Sequence, residues 1–129
     1  MIALNKEQVI MLHERIYERY GGSCGVLNEG MLDSALEAPF QTFGGEELFP
    51  GDLDKIVRMS YGLIKNHSFR DGNKRIGALV LLTLLELNGY HVNATNAEFT
   101  DIIMCVAASE KDEEDLMEWV KLHATSDNS

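Results

Sequence analysis

Residues 66–87 read NHSFRDGNKRIGALVLLTLLEL. Between Ile76 and Leu87 only Thr83 and Glu86 are polar, so a helix running from Asn73 to Asn88 must be packed on nearly all sides, and Gly89 ends it. A helix with so little solvent face needs a shell of partners, and the flanking sequence supplies them. Asn5 followed by Gln8 is a capping-box start, after which Val9, Leu12, Ile16, Tyr17 and Tyr20 recur at helical spacing until Gly21 and Gly22. Asn28 caps a short helix bearing Leu32, Ala35 and Leu36, closed by Pro39. Leu53, Ile56, Val57, Tyr61 and Ile64 form a helical stripe from Asp52 to about Asn66. YHVNA, residues 90–94, suits a short extended piece. Thr95 with Glu98 opens another helix with Phe99, Ile102, Ile103 and Val106 inward, and Asp112 opens a last one. In that last helix Glu113, Glu114 and Asp115 match the positive first turn, and Leu116, Trp119 and Val120 face inward. The expectation is one all-α domain over residues 1–124, about six helices around a buried central helix, followed by a frayed tail at 125–129.

Composition narrows the function classes. The chain has 21 acidic and 11 basic residues, a formal net charge of −10, which opposes general attraction to nucleic acid or anionic membranes. The longest apolar run, residues 76–85, is about half of what a bilayer span needs. The start, MIALNKEQVIMLHERI, lacks the basic, apolar and small-residue segments of a signal peptide. A cytoplasmic protein is expected. Cys24 and Cys105 stand apart with no CxxC pair, so free thiols are expected. His13, His91 and His123 lie on separate elements without metal-ligand spacing, and packing or surface roles suffice for them. The six methionines follow helical patterns and read as core filling.

Residues 40–51, FQTFGGEELFPG, place two glycines between aromatic-bearing runs, which suits a small hairpin acting as a flap. Phe40, Phe43 and Phe49 are expected as core anchors.

The chemistry concentrates before the central helix. A helix start repels cations, yet this one begins with Lys74 and Arg75. Lys65, Arg70, Lys74 and Arg75 place four of the eleven basic residues within positions 65–75 of an acidic chain. Free backbone N–H groups reinforced by cationic side chains make a phosphate site, and Gly72 lets the backbone approach a ligand. The plainer alternative is a simple Asp71-Gly72 turn with Asn73 as cap and both cations in solvent. His67, at the mouth of the same loop, favours the ligand reading. An imidazole can take a proton from an incoming hydroxyl, and an Asp71 oxygen is the hard ligand Mg2+ prefers beside waters and nucleotide oxygens. Phe69 would pin the loop into the core.

HSFRDGNKR, residues 67–75, resembles the signature of the Fic/Doc family, His-x-Phe-x-Asp/Glu-Gly/Ala-Asn-Gly/Lys-Arg, with Lys74 placing it on the Doc (death on curing) side. LNEGMLDSAL, PFQTFGGEELFP, LIKNH and LLELNGY also resemble stretches of Doc-type toxins. The resemblance implies an all-α Fic fold that transfers part of a nucleotide to a hydroxyl of a target protein. It implies His67 as base and Asp71 as the Mg2+ residue, with Asn73, Lys74 and Arg75 holding phosphates. Thr42, Phe43, Gly44, Gly45, Glu46 and Glu47 would form the flap that positions the target peptide. For the Doc branch it implies phosphorylation by ATP, a translation elongation factor as target and a cognate antitoxin whose tail blocks the nucleotide site.

Three departures bear on this. Fic enzymes that transfer AMP carry a second arginine three positions after Arg75, where this chain has Ala78, so nucleotidyl transfer is the alternative. Ser68 replaces the usual proline, and Ile76-Gly77 the usual Thr-Ala. The inhibitory Ser/Thr-x-x-x-Glu-Gly/Asn segment is absent: the only Glu followed by Gly or Asn is Glu29, preceded four residues earlier by Gly25. A binding module that performs no chemistry is the remaining alternative.

Overall fold

In the structure, a computed structural model, residues 1–127 are described. The helices are α1 (Lys6–Tyr20), α2 (Glu29–Glu37), α3 (Asp52–Lys65), α4 (Asn73–Leu87), α5 (Asn96–Ala107) and α6 (Glu113–His123). Strands β1 (Thr42–Phe43) and β2 (Glu46–Glu47) form one antiparallel hairpin, and β3 (Tyr90–Val92) pairs with β4 (Ala124–Ser126) in another. Helices dominate, so the fold class is all-α. No helix of the described residues is long and apolar enough to cross a membrane.

The helices begin where capping chemistry allows. Asn5, Thr95 and Asp112 each accept the N–H of the residue three positions on, while the side chain of that residue returns to the cap's own N–H. Asn28 accepts from the Met31 N–H. Those carboxylates are stabilised in place: the Thr95 N–H holds the Glu98 carboxyl below its usual range, and the Asp112 N–H does the same for Asp115.

Helix α4 lies at the centre with Ile76, Val80, Leu81, Leu84 and Leu85 all essentially buried. Its main partner is α3, whose Ile56, Val57, Met59, Leu63 and Ile64 are buried as well. The two helices approach closely at Gly77. A Cβ there would meet Ile64 Cγ1 at 2.3 Å and the Ser60 carbonyl at 3.1 Å. The buried Ser60 hydroxyl donates to the Gly77 carbonyl at 2.9 Å, so a polar group is satisfied where the backbones meet. α1, α2, α5 and α6 close around this pair, and Arg58 of α3 pairs with Glu113 to fasten α6. Trp119 stacks on His123 at 4.1 Å between ring centroids and tilts against Phe99 at 5.8 Å.

Several expectations change. Thr125 and Ser126, expected in a frayed tail, pair with His91 and Tyr90 in β4; residues 128–129 of that tail lie outside the described residues. Phe40 and Phe43 are not core anchors, being 46% and 80% exposed. For Phe43 the two-residue turn explains this: Gly44 and Gly45 at φ +60° and +84° fold a hairpin too short to bury its own side chains, while Phe40 ends a single 3-10 turn, Ala38–Phe40, whose Pro39 is the residue turned inward. Of the six methionines, Met59 is the fully buried one, while Met1, Met11, Met31 and Met104 are exposed. The buried Lys55 ammonium holds the base of the flap, donating to the Phe49 carbonyl and pairing with Glu47 at 3.1 Å.

Candidate active site

The loop between α3 and α4 is pinned from inside and from behind. Phe69 is 1% exposed. The Leu27 and Asn28 N–H groups donate to the Ser68 carbonyl at 2.9 and 3.1 Å, and the Arg70 N–H donates to the Gly25 carbonyl at 3.0 Å. The segment after α1 therefore serves as backbone scaffold for the loop, an arrangement visible only in three dimensions.

Asn73 is the first residue of α4, and Gly72, in the left-handed region at φ +75°, takes the cap position without a side-chain bond. The Asn73 amide turns back instead, accepting the Phe69 N–H and donating to the Phe69 carbonyl, both at 3.1 Å. Asn73 thus shapes the loop with its side chain. Gly72 is where only a residue tolerant of positive φ can pass. Its N–H donates to Asp71 Oδ1 at 2.8 Å, and the other oxygen, Oδ2, faces Gly22, where a Cβ would stand 2.3 Å away.

His67 is exposed at the rim with φ +51°, an unusual backbone for a non-glycine residue. Such strain persists where surrounding contacts over-determine it and is concentrated at functional sites. The next residue, Ser68, is fully buried, and its hydroxyl has no hydrogen-bond partner.

These residues open onto a groove of about 1120 Å³. His67, Asp71, Gly72, Asn73, Lys74 and Arg75 all line it, and so does Ala78. The flap residues 42–47 are not among its walls. Arg15 and Arg19 of α1 are among the groove residues that the sequence reading did not single out, and Tyr20, read there only as part of the α1 stripe, lines the groove as well. The Arg75 guanidinium sits over the Tyr20 ring at 4.2 Å, and Arg19 lies 5.6 Å from the same ring. The four-residue spacing of Arg15 and Arg19 was the available signal, since it places both on one helix face. Toward α5 the groove becomes apolar, walled by Leu79, Leu82, Phe99, Ile103 and Met104.

Charge separates the two ends. Arg15, Arg19, Arg70, Lys74 and Arg75 all line the groove, and none makes an ion pair with a carboxylate among the described residues. Elsewhere Lys6, Lys55 and Arg58 are ion-paired, while Lys65, Lys111 and Lys121 also lack a carboxylate within ion-pair distance among the described residues. Five cations without an ion pair along one groove, in a chain of net charge −10, form a surface suited to an anion.

Mg2+ fits the donor set. Asp71 presents a hard carboxylate with one oxygen tied to a backbone N–H and the other in the space left by Gly22. One carboxylate beside a helix start with free N–H groups is a donor set on which Mg2+ would keep waters and other oxygens as its remaining ligands.

A family model described as "Fic/DOC family" matches residues 3–85, so the chain belongs to the Fic/Doc family. It is also similar to a protein named Toxin Doc from Mycolicibacterium smegmatis (strain ATCC 700084 / mc(2)155), 35% identical over 75 residues. The alignment covers 58% of this chain and 58% of that protein.

Proposed function

We propose that this chain is a Doc-like toxin that phosphorylates a Ser or Thr hydroxyl of a target protein, using ATP and Mg2+. The single observation that carries the reading is the convergence of five unpaired cations and the α4 start on one groove that also holds His67 and Asp71. The chain's residues divide the work. The N–H groups of the α4 start, with Lys74 and Arg75, bind and orient the phosphates. His67, exposed at the rim, accepts the proton of the acceptor hydroxyl. The hydroxyl oxygen forms a bond to the terminal phosphorus, the bond from that phosphorus to the bridging oxygen breaks, and ADP leaves. Mg2+, held by Asp71, would spread the charge of the phosphates. The apolar end of the groove offers walls to a nucleoside, and the exposed hairpin 42–47 is a strand edge for the target peptide. Ala78 in the wall, where AMP-transferring relatives of the family carry arginine, supports terminal-phosphate transfer over nucleotidyl transfer.

A cytoplasmic location, a translation elongation factor as target and a cognate antitoxin as regulator belong to the same proposal, which rests there on similarity to the Doc branch. The test uses ATP labelled at the terminal or the α-phosphate in a host lysate. Terminal label on protein, lost in His67→Ala while nucleotide binding persists, is the expected result. Label from the α-phosphate assigns nucleotidyl transfer instead. Growth arrest unchanged by His67→Ala assigns a binding module.

A further inference from the structure

We infer that His13, on α1 and outside the signature loop, is a positioning residue for this site: it ties the Asp71-Gly72 peptide to the Phe69 ring and so sets where the Asp71 carboxylate points. The inference rests on the reading above for its link to catalysis, but its geometry stands independently.

His13 is 2% exposed. Its Nε2 lies 2.7 Å from the Asp71 carbonyl oxygen. A carbonyl only accepts, so Nε2 carries the proton and donates it. The ring face is engaged too, stacked on Phe69 at 3.9 Å between centroids with planes 10° apart. The same Nε2 stands 3.4 Å from where a Cβ on Gly72 would be. The edge of one imidazole thus holds a backbone carbonyl while its face holds the residue that anchors the loop.

Core stability alone does not call for a histidine here. An apolar ring would stack on Phe69 and fill the space without burying a polar group. What the imidazole adds is direction, because a hydrogen bond to the Asp71 carbonyl fixes the plane of the Asp71-Gly72 peptide, and the N–H of that same peptide is the donor that holds Asp71 Oδ1. Gly22, just beyond α1, acts from the other side by leaving the room that Oδ2 occupies. The carboxylate is therefore placed by the α1 region, through one residue that ties its backbone and another that vacates its space. A displaced reacting group of about 1 Å can cost roughly a hundredfold in rate.

The test compares His13→Phe, which keeps the stacked ring and loses the donor, with His13→Gln, which keeps a donor and loses the ring. Three readouts on the full chain separate positioning from folding: the thermal midpoint, kcat against KM for the protein acceptor, and hydrogen exchange across residues 69–73. We expect His13→Phe to fold, to lose about ten- to a hundredfold in kcat with acceptor KM little changed, and to exchange faster over 69–73. His13→Gln should recover part of both losses. Wild-type kcat and exchange in His13→Phe would overturn the inference, as would a Gln variant no better than the Phe variant. Should His13→Phe fail to fold, exchange protection retained in a folded His13→Gln supports the tie, and protection lost there refutes it. If the wild-type chain transfers no phosphate at all, the functional reading falls, and the exchange measurements alone decide the clamp.

Discussion

A methyl group at Gly22 would stand 2.3 Å from Oδ2 of Asp71, on backbone held at φ +91°. Gly22→Ala is therefore expected to move the carboxylate and to lower transfer activity by about a hundredfold, with a stability loss of about 1 kcal/mol from the strained backbone. A labelled-ATP assay and a thermal melt check the two parts separately. Ser68 predicts the reverse kind of change. Its buried hydroxyl has no partner, so Ser68→Ala is expected to leave stability unchanged or to raise it by about 1 kcal/mol, read as a shift in the urea midpoint. At this scale the sequence shows residues whose type breaks a local rule. Lys74 and Arg75 stand out because cations oppose a helix start. His13 and Gly22 break no rule where they stand, and their roles arise only when folding brings α1 against a loop far along the chain.

Among elements, the α3–α4 contact is the least tolerant of added volume. Gly77→Ala would press a methyl onto Ile64 and the Ser60 carbonyl, and the expected cost is about 1–3 kcal/mol, measured by denaturant unfolding. The capped starts of α5 and α6 set a dependence on acidity. Glu98 and Asp115 are held below the usual carboxylate range chiefly by the N–H groups of Thr95 and Asp112. A carboxylate with a depressed folded value stabilises the fold above its unfolded value, and that contribution disappears as pH falls through the folded one. Stability should thus decline below about pH 4, and Glu98→Gln should flatten part of that decline in melts taken across the range. The helices were legible because caps and periodicity are local signals. β4 was not, because Thr125 and Ser126 become a strand only beside Tyr90 and His91. The flap hairpin was readable from its paired glycines, but the exposure of Phe43 was not, since nothing in two such short strands tells which face will lack a neighbour.

For the whole molecule, the distribution of charge matters more than its sum. The chain is strongly acidic, yet the groove gathers Arg15, Arg19, Arg70, Lys74 and Arg75 without carboxylate partners among the described residues. Nucleotide affinity is therefore expected to fall severalfold between about 0.05 and 0.3 M salt. The double variant Arg15→Ala and Arg19→Ala should bind ATP more weakly and show a shallower salt dependence, both measurable by titration calorimetry. The corner where α5 meets α6 offers a way to watch this molecule without a label. Trp119, the chain's sole indole, lies face to face with the imidazole of His123, so its surroundings report on whether that stack is intact. Emission should change as that corner comes apart and the indole loses its stacked neighbour, which makes fluorescence a native gauge of when the last helices let go.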